Sequence, residues 1–343
     1  MVEINDLVRE NVKKLTPYSC ARDEFKGNTG IFLDANENPY GRLNRYPDPY
    51  QRDLKKAVSE YKGIPEENIF LGNGSDEIID LCFRVFCRPG ADKALIFTPT
   101  YGMYEVSASV NDVEVIKLPL NPSFQIDMKK VTGILTDSNL KLIYICSPNN
   151  PTGNCMDYAD VEKIVADSGS VVIIDEAYID FSDKPSLLKL VGKYPNVIVM
   201  QTFSKAFGLA SVRVGMAFAS KEIVQYFNKI KPPYNISTIN QVTALHKIYR
   251  TNEKENQLRK IRIEKEKLVI RLLKLGLTEM IYPSDANFLL VKVKDANLIY
   301  SELVKMNIIV RNRNQVVNNC IRITVGKPSE NNKLLKALKT IQI

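Results

Sequence analysis

The 343-residue sequence has no tryptophan and a single histidine, His246. That imidazole lies in a helix-like stretch at 241–246 with no acidic neighbour to orient it, so it reads as structural. One isolated histidine argues against histidine-based hydrolysis and against most zinc or non-haem iron sites. The six cysteines (Cys20, Cys82, Cys87, Cys146, Cys155 and Cys320) form no CxxC pair and no zinc spacing. They read as reduced core thiols, and no metal is expected. No apolar run approaches the ~18 residues that span a bilayer. Residues 1–6 lack the basic-then-apolar order of a secretory signal, so the expectation is a cytoplasmic protein with no membrane partner. Long runs of one charge sign are missing too. Lysine and arginine (47) outnumber the acids (39) for a net charge of +8, yet the two signs interleave, as at 253–274. Such a segment is a solvated helix face rather than a nucleic-acid patch, which leaves anionic small molecules as the expected partners.

What is present is an ordinary globular balance, 45% apolar and 25% charged. Ile4, Leu7, Val8, Val12 and Leu15 have helical spacing, and Pro17 ends it. A turn-rich stretch at 34–41 and the extended Arg45-Tyr46-Pro47-Asp48-Pro49 lead to a helix expected at 50–62. Apolar strands are then expected at 69–71, 94–97, 142–146, 171–174, 197–200 and 214–218, alternating with helical stretches. Near-continuous apolar strands with helices between them predict a largely parallel sheet covered on both faces. A charged amphipathic helix at 250–275 follows, with Ile261, Leu268, Leu272 and Leu275 on one face and Gly276 closing it. Strands at 288–291, 308–310 and 320–325 then read as a small α+β domain. The expected division is 1–30 as a segment joining the small domain, 31–240 as the large domain and 241–343 as the small one.

The strand ends carry the chemistry, since ligands of open α/β sheets bind at the carboxyl edge. Gly72-Asn73-Gly74-Ser75-Asp76-Glu77 is a glycine turn entering a helix, which suits a phosphate or merely an N-cap. Thr98-Pro99-Thr100-Tyr101 brings an aromatic ring to the edge. Ser147-Pro148-Asn149-Asn150-Pro151-Thr152-Gly153 and Asp175-Glu176-Ala177-Tyr178 follow the next two strands. An aspartate after four β-branched residues is costly to bury without a positive partner. Last comes Thr202-Phe203-Ser204-Lys205-Ala206-Phe207-Gly208, with Arg213 downstream. A lysine in a loop is ordinarily solvated. Flanked by Phe203, Ala206 and Phe207, however, Lys205 is expected in a partly apolar setting, where the neutral amine, a nucleophile for carbonyl carbon, is favoured. One ligand would use every group: an aromatic aldehyde phosphate with a basic ring nitrogen, pyridoxal 5′-phosphate. Lys205 would condense with the aldehyde, Asp175 would pair with the ring nitrogen and Tyr101 would stack on the ring. Asn150 and Tyr178 would hydrogen-bond the ring oxygen. Gly74, Ser75 and Asp76 of the turn, with Ser204 and Arg213, would hold the phosphate.

These motifs run almost end to end. With Leu15-Thr16-Pro17-Tyr18, Asp34-Ala35-Asn36-Glu37-Asn38-Pro39, Arg45-Tyr46-Pro47-Asp48 and Arg322-Ile323-Thr324-Val325-Gly326 added, the sequence resembles the fold type I pyridoxal-phosphate aminotransferases. Within them it is similar to the histidinol-phosphate aminotransferases. The resemblance implies an α/β fold, with a mostly parallel seven-stranded sheet in a large domain and a small α+β domain beside it. It implies transamination of L-histidinol phosphate with 2-oxoglutarate to imidazole-acetol phosphate and glutamate, in histidine biosynthesis. Lys205, Asp175 and Tyr178 would be catalytic. It further implies a homodimer in which Tyr46 reaches the partner's cofactor phosphate. Arg311 and Arg322 would receive the anionic end of either substrate, and Tyr18 and Asn150 would line the substrate pocket, with Tyr104 and Asn287 as further candidates. Ser211 stands where the family usually has glycine, and a small local adjustment is expected there. The same scaffold also serves aromatic amino-acid aminotransferases and phosphothreonine decarboxylases. A non-catalytic descendant is a third alternative, disfavoured by the intact Lys205, Asp175 and Asn150.

Overall fold

Val171-Val172-Ile173-Ile174 and Val197-Ile198-Val199-Met200 offer no polar side chain to water, and both segments are strands covered on both faces. A computed structural model describes residues 3–19 and 30–342; Cys20 lies outside the described residues. Seven strands form the larger sheet: β1 (Ile69–Gly72), β2 (Lys93–Thr98), β3 (Glu114–Pro119), β4 (Leu140–Cys146), β5 (Val171–Asp175), β6 (Val197–Thr202) and β7 (Gly215–Ala219). Their order is β1-β7-β6-β5-β4-β2-β3. The run from β6 to β3 is parallel, and only β7 is antiparallel to its neighbours β6 and β1. Side chains alternate between two cores, one per face. Leu71, Ile143, Val172 and Val199 join Phe203 and Phe207 on one side. Phe70, Tyr144, Ile173 and Ile198 join Ile78, Phe83 and Phe227 on the other.

The edge strand β3 is absent from the sequence expectations. It is partly exposed along its length, and Glu114 and Lys117 break the apolar run by which the other strands are recognised. At the chain's start, the single helix expected at 3–15 is two short ones, Ile4–Leu7 and Glu10–Lys14. Between them the Arg9 N–H donates to the Val85 carbonyl at 3.0 Å instead of continuing a helix. Ile4, Val8 and Val12 bury beside Phe83 and Phe86, so this segment rests on the larger sheet, whereas the sequence pointed it to the small domain.

The second sheet is antiparallel: β8 (Thr278–Ile281), β9 (Phe288–Val293), β10 (Arg311–Asn312) and β11 (Cys320–Thr324), in the order β10-β11-β9-β8. Leu268 and Leu272 of the long helix Thr251–Leu272 cover it, with Leu334 and Leu338 of the helix Pro328–Thr340. The strand expected at 308–310 is corrected by this arrangement. The Ile308 N–H turns back to the Leu303 carbonyl at 2.8 Å, closing the helix Ala296–Lys305, while Ile308 and Val310 pack partly buried on the core. Pairing starts only at Arg311. A small cluster of Tyr178, Phe181, Ala206, Leu258, Ala286 and Phe288 joins the two sheets beside the carboxyl ends of β5 and β6.

Candidate active site

The carboxyl ends of the central strands open into a cavity of about 350 Å³. Asp175, the last residue of β5, is buried at its floor. The Tyr104 hydroxyl donates to one carboxylate oxygen at 2.6 Å, and the Ala177 N–H donates to the other at 3.0 Å. Burial nevertheless pushes the carboxyl above its usual range, against the pull of these bonds and of Lys205. Among the described residues no ion pair reaches it. A buried carboxylate with both oxygens bonded but no ion-pair partner, facing a cavity, fits a cationic ring nitrogen. Tyr104, a candidate for substrate contact from its sequence position, instead stands fully buried behind Asp175. It supports the carboxylate.

Lys205 enters from the loop after β6, where the Gly208 N–H donates to its carbonyl at 3.0 Å and Gly208 closes the turn at φ +69°. Its Nζ lies 5.4 Å from the Tyr178 ring centroid. The side chain keeps accessible surface along the cavity, while the walls withdraw much of its hydration. That loss of solvent lowers its pKa first, the Arg322 and Arg213 charges lower it further, and Asp175 opposes them. The apolar setting expected from the sequence is thus modified: Phe203 and Phe207 turn down into the core, and the groups that tune the amine are charged.

The corner where a phosphate is expected depends on close backbone approach. Gly74, at φ +73°, opens the helix Gly74–Phe86, and its N–H donates to the Arg213 carbonyl at 3.0 Å. A Cβ on Gly74 would strike the Arg213 guanidinium, and one on Gly215 would sit 2.6 Å from Gly74 C and Ser75 N. Arg213 itself adopts the left-handed region at φ +53°, after the short 3₁₀ turn Ala210–Val212 in which Ser211 lies. It donates to Asp76 at 3.0 Å and to the Ser204 hydroxyl at 3.4 Å. The Ser204 N–H is fixed by Thr202 Oγ1 at 3.0 Å. With the Gly74 N–H committed, the N–H groups of Ser75 and Asp76 in the first helical turn remain for an anion in the cavity. Tyr101 donates to Asp76 at 3.3 Å, and burial, with the Asp76 charge, pushes its phenol up to about 12.

The opposite wall comes from the second sheet. Arg322 donates to Asn150 Oδ1 and lies over the Phe288 ring at 5.2 Å. Arg311 stands directly across from it in the β10–β11 register. Burial pushes the Tyr178 phenol above its ordinary range. The cavity thus brings together Ser75, Asp76, Tyr101, Asn150, Asp175, Tyr178, Ser204, Lys205, Arg213, Arg311 and Arg322 from the sequence expectations, with Gly74 against Arg213. Four further residues line it that were not among the expected site residues: Cys146, Ala177, Thr202 and Arg313. The alternation of side chains along a strand, with Arg313 two residues after Arg311, is the signal that points to the last. Two tyrosines stand apart. Tyr18 is 73% exposed and outside the lining. Tyr46 stacks on Tyr234, centroids 4.4 Å apart, beside a separate hollow lined by Glu37, Arg45 and Thr238. Asn287 also lies outside the lining.

Comparison with known proteins agrees with this geometry. The pattern of the aminotransferase class I and II family matches residues 26–338. The histidinol-phosphate aminotransferase of Cytophaga hutchinsonii is 49% identical over 98% of this chain and 99% of its own length. The crystal structure of histidinol-phosphate aminotransferase from Clostridium acetobutylicum superposes with a TM-score of 0.79 at 27% identity, over 87% of this chain and 90% of that one. That from Sinorhizobium meliloti, in complex with pyridoxal 5′-phosphate, shares the fold with a TM-score of 0.79 at 24% identity, over 89% of this chain and 88% of that one. The chain belongs to the class I and II aminotransferases, and within them to the histidinol-phosphate aminotransferase family.

Proposed function

We propose that the chain binds pyridoxal 5′-phosphate and transfers an amino group between L-histidinol phosphate and 2-oxoglutarate, giving imidazole-acetol phosphate and glutamate. The observation that carries the reading is the meeting, in one cavity, of a buried Asp175 that no ion pair among the described residues reaches, the Lys205 amine and a wall of arginines. Gly74, Ser75, Asp76, Ser204 and Arg213 would hold the cofactor phosphate, Tyr101 the ring face, and Asn150 and Tyr178 the ring oxygen. When bound, the cofactor supplies an electron sink for the carbanion left when a proton departs from the carbon bearing the amine. Asp175 keeps the ring nitrogen protonated, which its buried carboxylate does by supplying the missing countercharge. The Lys205 Nζ, its pKa lowered by lost hydration and nearby guanidiniums, would take the proton from the substrate carbon and return it. Arg311 and Arg322 receive the substrate phosphate or a carboxylate of glutamate, both anions that a guanidinium fork matches. The separate positions of Tyr46 and Tyr18 support a homodimer in which Tyr46 serves the partner's cofactor and Tyr18 a substrate pocket. The proposed location is the cytoplasm; among the described residues no helix is long and apolar enough to cross a membrane.

The test is a substrate panel with the cofactor-loaded enzyme. Glutamate should appear from 2-oxoglutarate with L-histidinol phosphate as donor, at a kcat/KM well above those for phenylalanine and tyrosine. Carbon dioxide release from phosphothreonine, or a clear preference for the aromatic amino acids, contradicts the substrate assignment.

A further inference from the structure

We infer that Arg313 sets the preference of this pocket for a phosphate monoester over a carboxylate, an inference that rests on the substrate reading above. Arg311 and Arg322 face each other in register across β10 and β11. Arg313 follows Arg311 by two residues, and its N–H continues the ladder by donating to the Cys320 carbonyl at 2.9 Å. This spacing returns its side chain to the side of Arg311, and all three guanidiniums line the same cavity. Among the described residues none of the three has a carboxylate partner. Arg322 is bonded to Asn150, and the Arg313 Nε is buried with no hydrogen-bond partner. The two carboxylates of the cavity are committed elsewhere: Asp76 pairs with Arg213, and Asp175 lies on the floor. Burial and the two neighbouring arginines hold the Arg313 guanidinium down at about 10.

Three crowded cations with no anion among them are relieved by the ligand that brings the most charge and acceptors. A carboxylate has one negative charge and two oxygens, which a pair of guanidiniums satisfies. A phosphate monoester carries roughly −1.5 to −2 near neutral pH and three acceptor oxygens, so it alone engages a third. Arg313 is a binding residue for the extra oxygen and charge.

The experiment compares cofactor-loaded wild type with Arg313→Gln and Arg313→Lys. The ratio of kcat/KM for histidinol phosphate to that for glutamate should fall by about 10- to 100-fold in Arg313→Gln, the scale of a lost charge-assisted hydrogen bond, and mostly through KM. Arg313→Lys should recover part of the ratio. Calorimetric affinity for inorganic phosphate should weaken in the same order, by a larger factor than the affinity for acetate. Equal losses for both donors, or an unchanged ratio in both variants, overturn the inference. If Arg313→Gln does not fold, an unchanged ratio in Arg313→Lys overturns it as well. The phosphate-versus-acetate readout needs no histidinol phosphate. A wild type inert toward that donor but selective for phosphate through Arg313 refutes the substrate reading and leaves the role of Arg313 standing.

Discussion

Lys205, Asp175 and Arg322 come from three different elements, yet the protonation of Lys205 depends on the other two. Asp175 favours the ammonium and Arg322 disfavours it, on top of a loss of hydration that also disfavours it. In cofactor-free protein, the pH midpoint for condensation of Lys205 with an aldehyde should therefore lie below the ordinary lysine value of about 10.4. Arg322→Gln removes a depressing charge and should raise the midpoint, whereas Asp175→Asn removes an opposing one and should lower it. Midpoints that move together in the two variants would contradict this balance. Lys205→Ala should reduce kcat by at least about 10²–10⁴-fold, the range of a positioned acid–base group, in a steady-state assay with saturating cofactor. At this scale the sequence was informative where chemistry and a strand end coincide, as for Asp175, Asn150, Lys205 and Arg213. It was not informative about Tyr104, because nothing local says whether a ring in the first turn of a helix faces the ligand or packs behind the carboxylate.

The proposed phosphate corner is a property of elements. β7 runs antiparallel between β1 and β6, which carries Gly215 against the turn that opens the helix Gly74–Phe86. A methyl at Gly215 has no room there, since the atoms it meets are backbone. Gly215→Ala should displace the Gly74–Ser75 turn, destabilise the fold by about 1–3 kcal/mol as overpacking does, and weaken cofactor binding. A cofactor titration alongside a denaturant melt checks both, and wild-type values in the two would show that the close approach is not needed. Strands buried on both faces were legible as apolar runs. The strands not expected all lie at sheet edges: β3 and β8 mix charged with apolar residues, and two-residue β10 is too short for a period to show. The apolar residues 308–310 pointed to a strand because they do pack on a core, but as the close of a helix. That shift of phase also hid Arg313, which becomes visible only when β10 is known to start at Arg311.

At the scale of the whole molecule, two sheets close on one cavity, the larger supplying the groups proposed to hold the cofactor and the smaller Arg311, Arg313 and Arg322. Tyr46 belongs to neither wall, and its proposed role lies across a dimer interface. Mixing makes that role measurable. Tyr46→Ala and Lys205→Ala chains, each weakly active alone, should regain activity when combined, because one site of each mixed dimer receives an intact Lys205 and an intact Tyr46. Absence of any rescue in dimers shown to be mixed would place Tyr46 outside the partner's site. The most direct test of the central claim is the absorbance of the cofactor-loaded protein as L-histidinol phosphate is added with no keto acid present. The visible band of the lysine-bound cofactor should give way to the shorter-wavelength band of its amino form, and 2-oxoglutarate should restore it. A band unmoved by histidinol phosphate but converted by phenylalanine would contradict the substrate, and a protein that acquires no such band from pyridoxal phosphate would contradict the site itself.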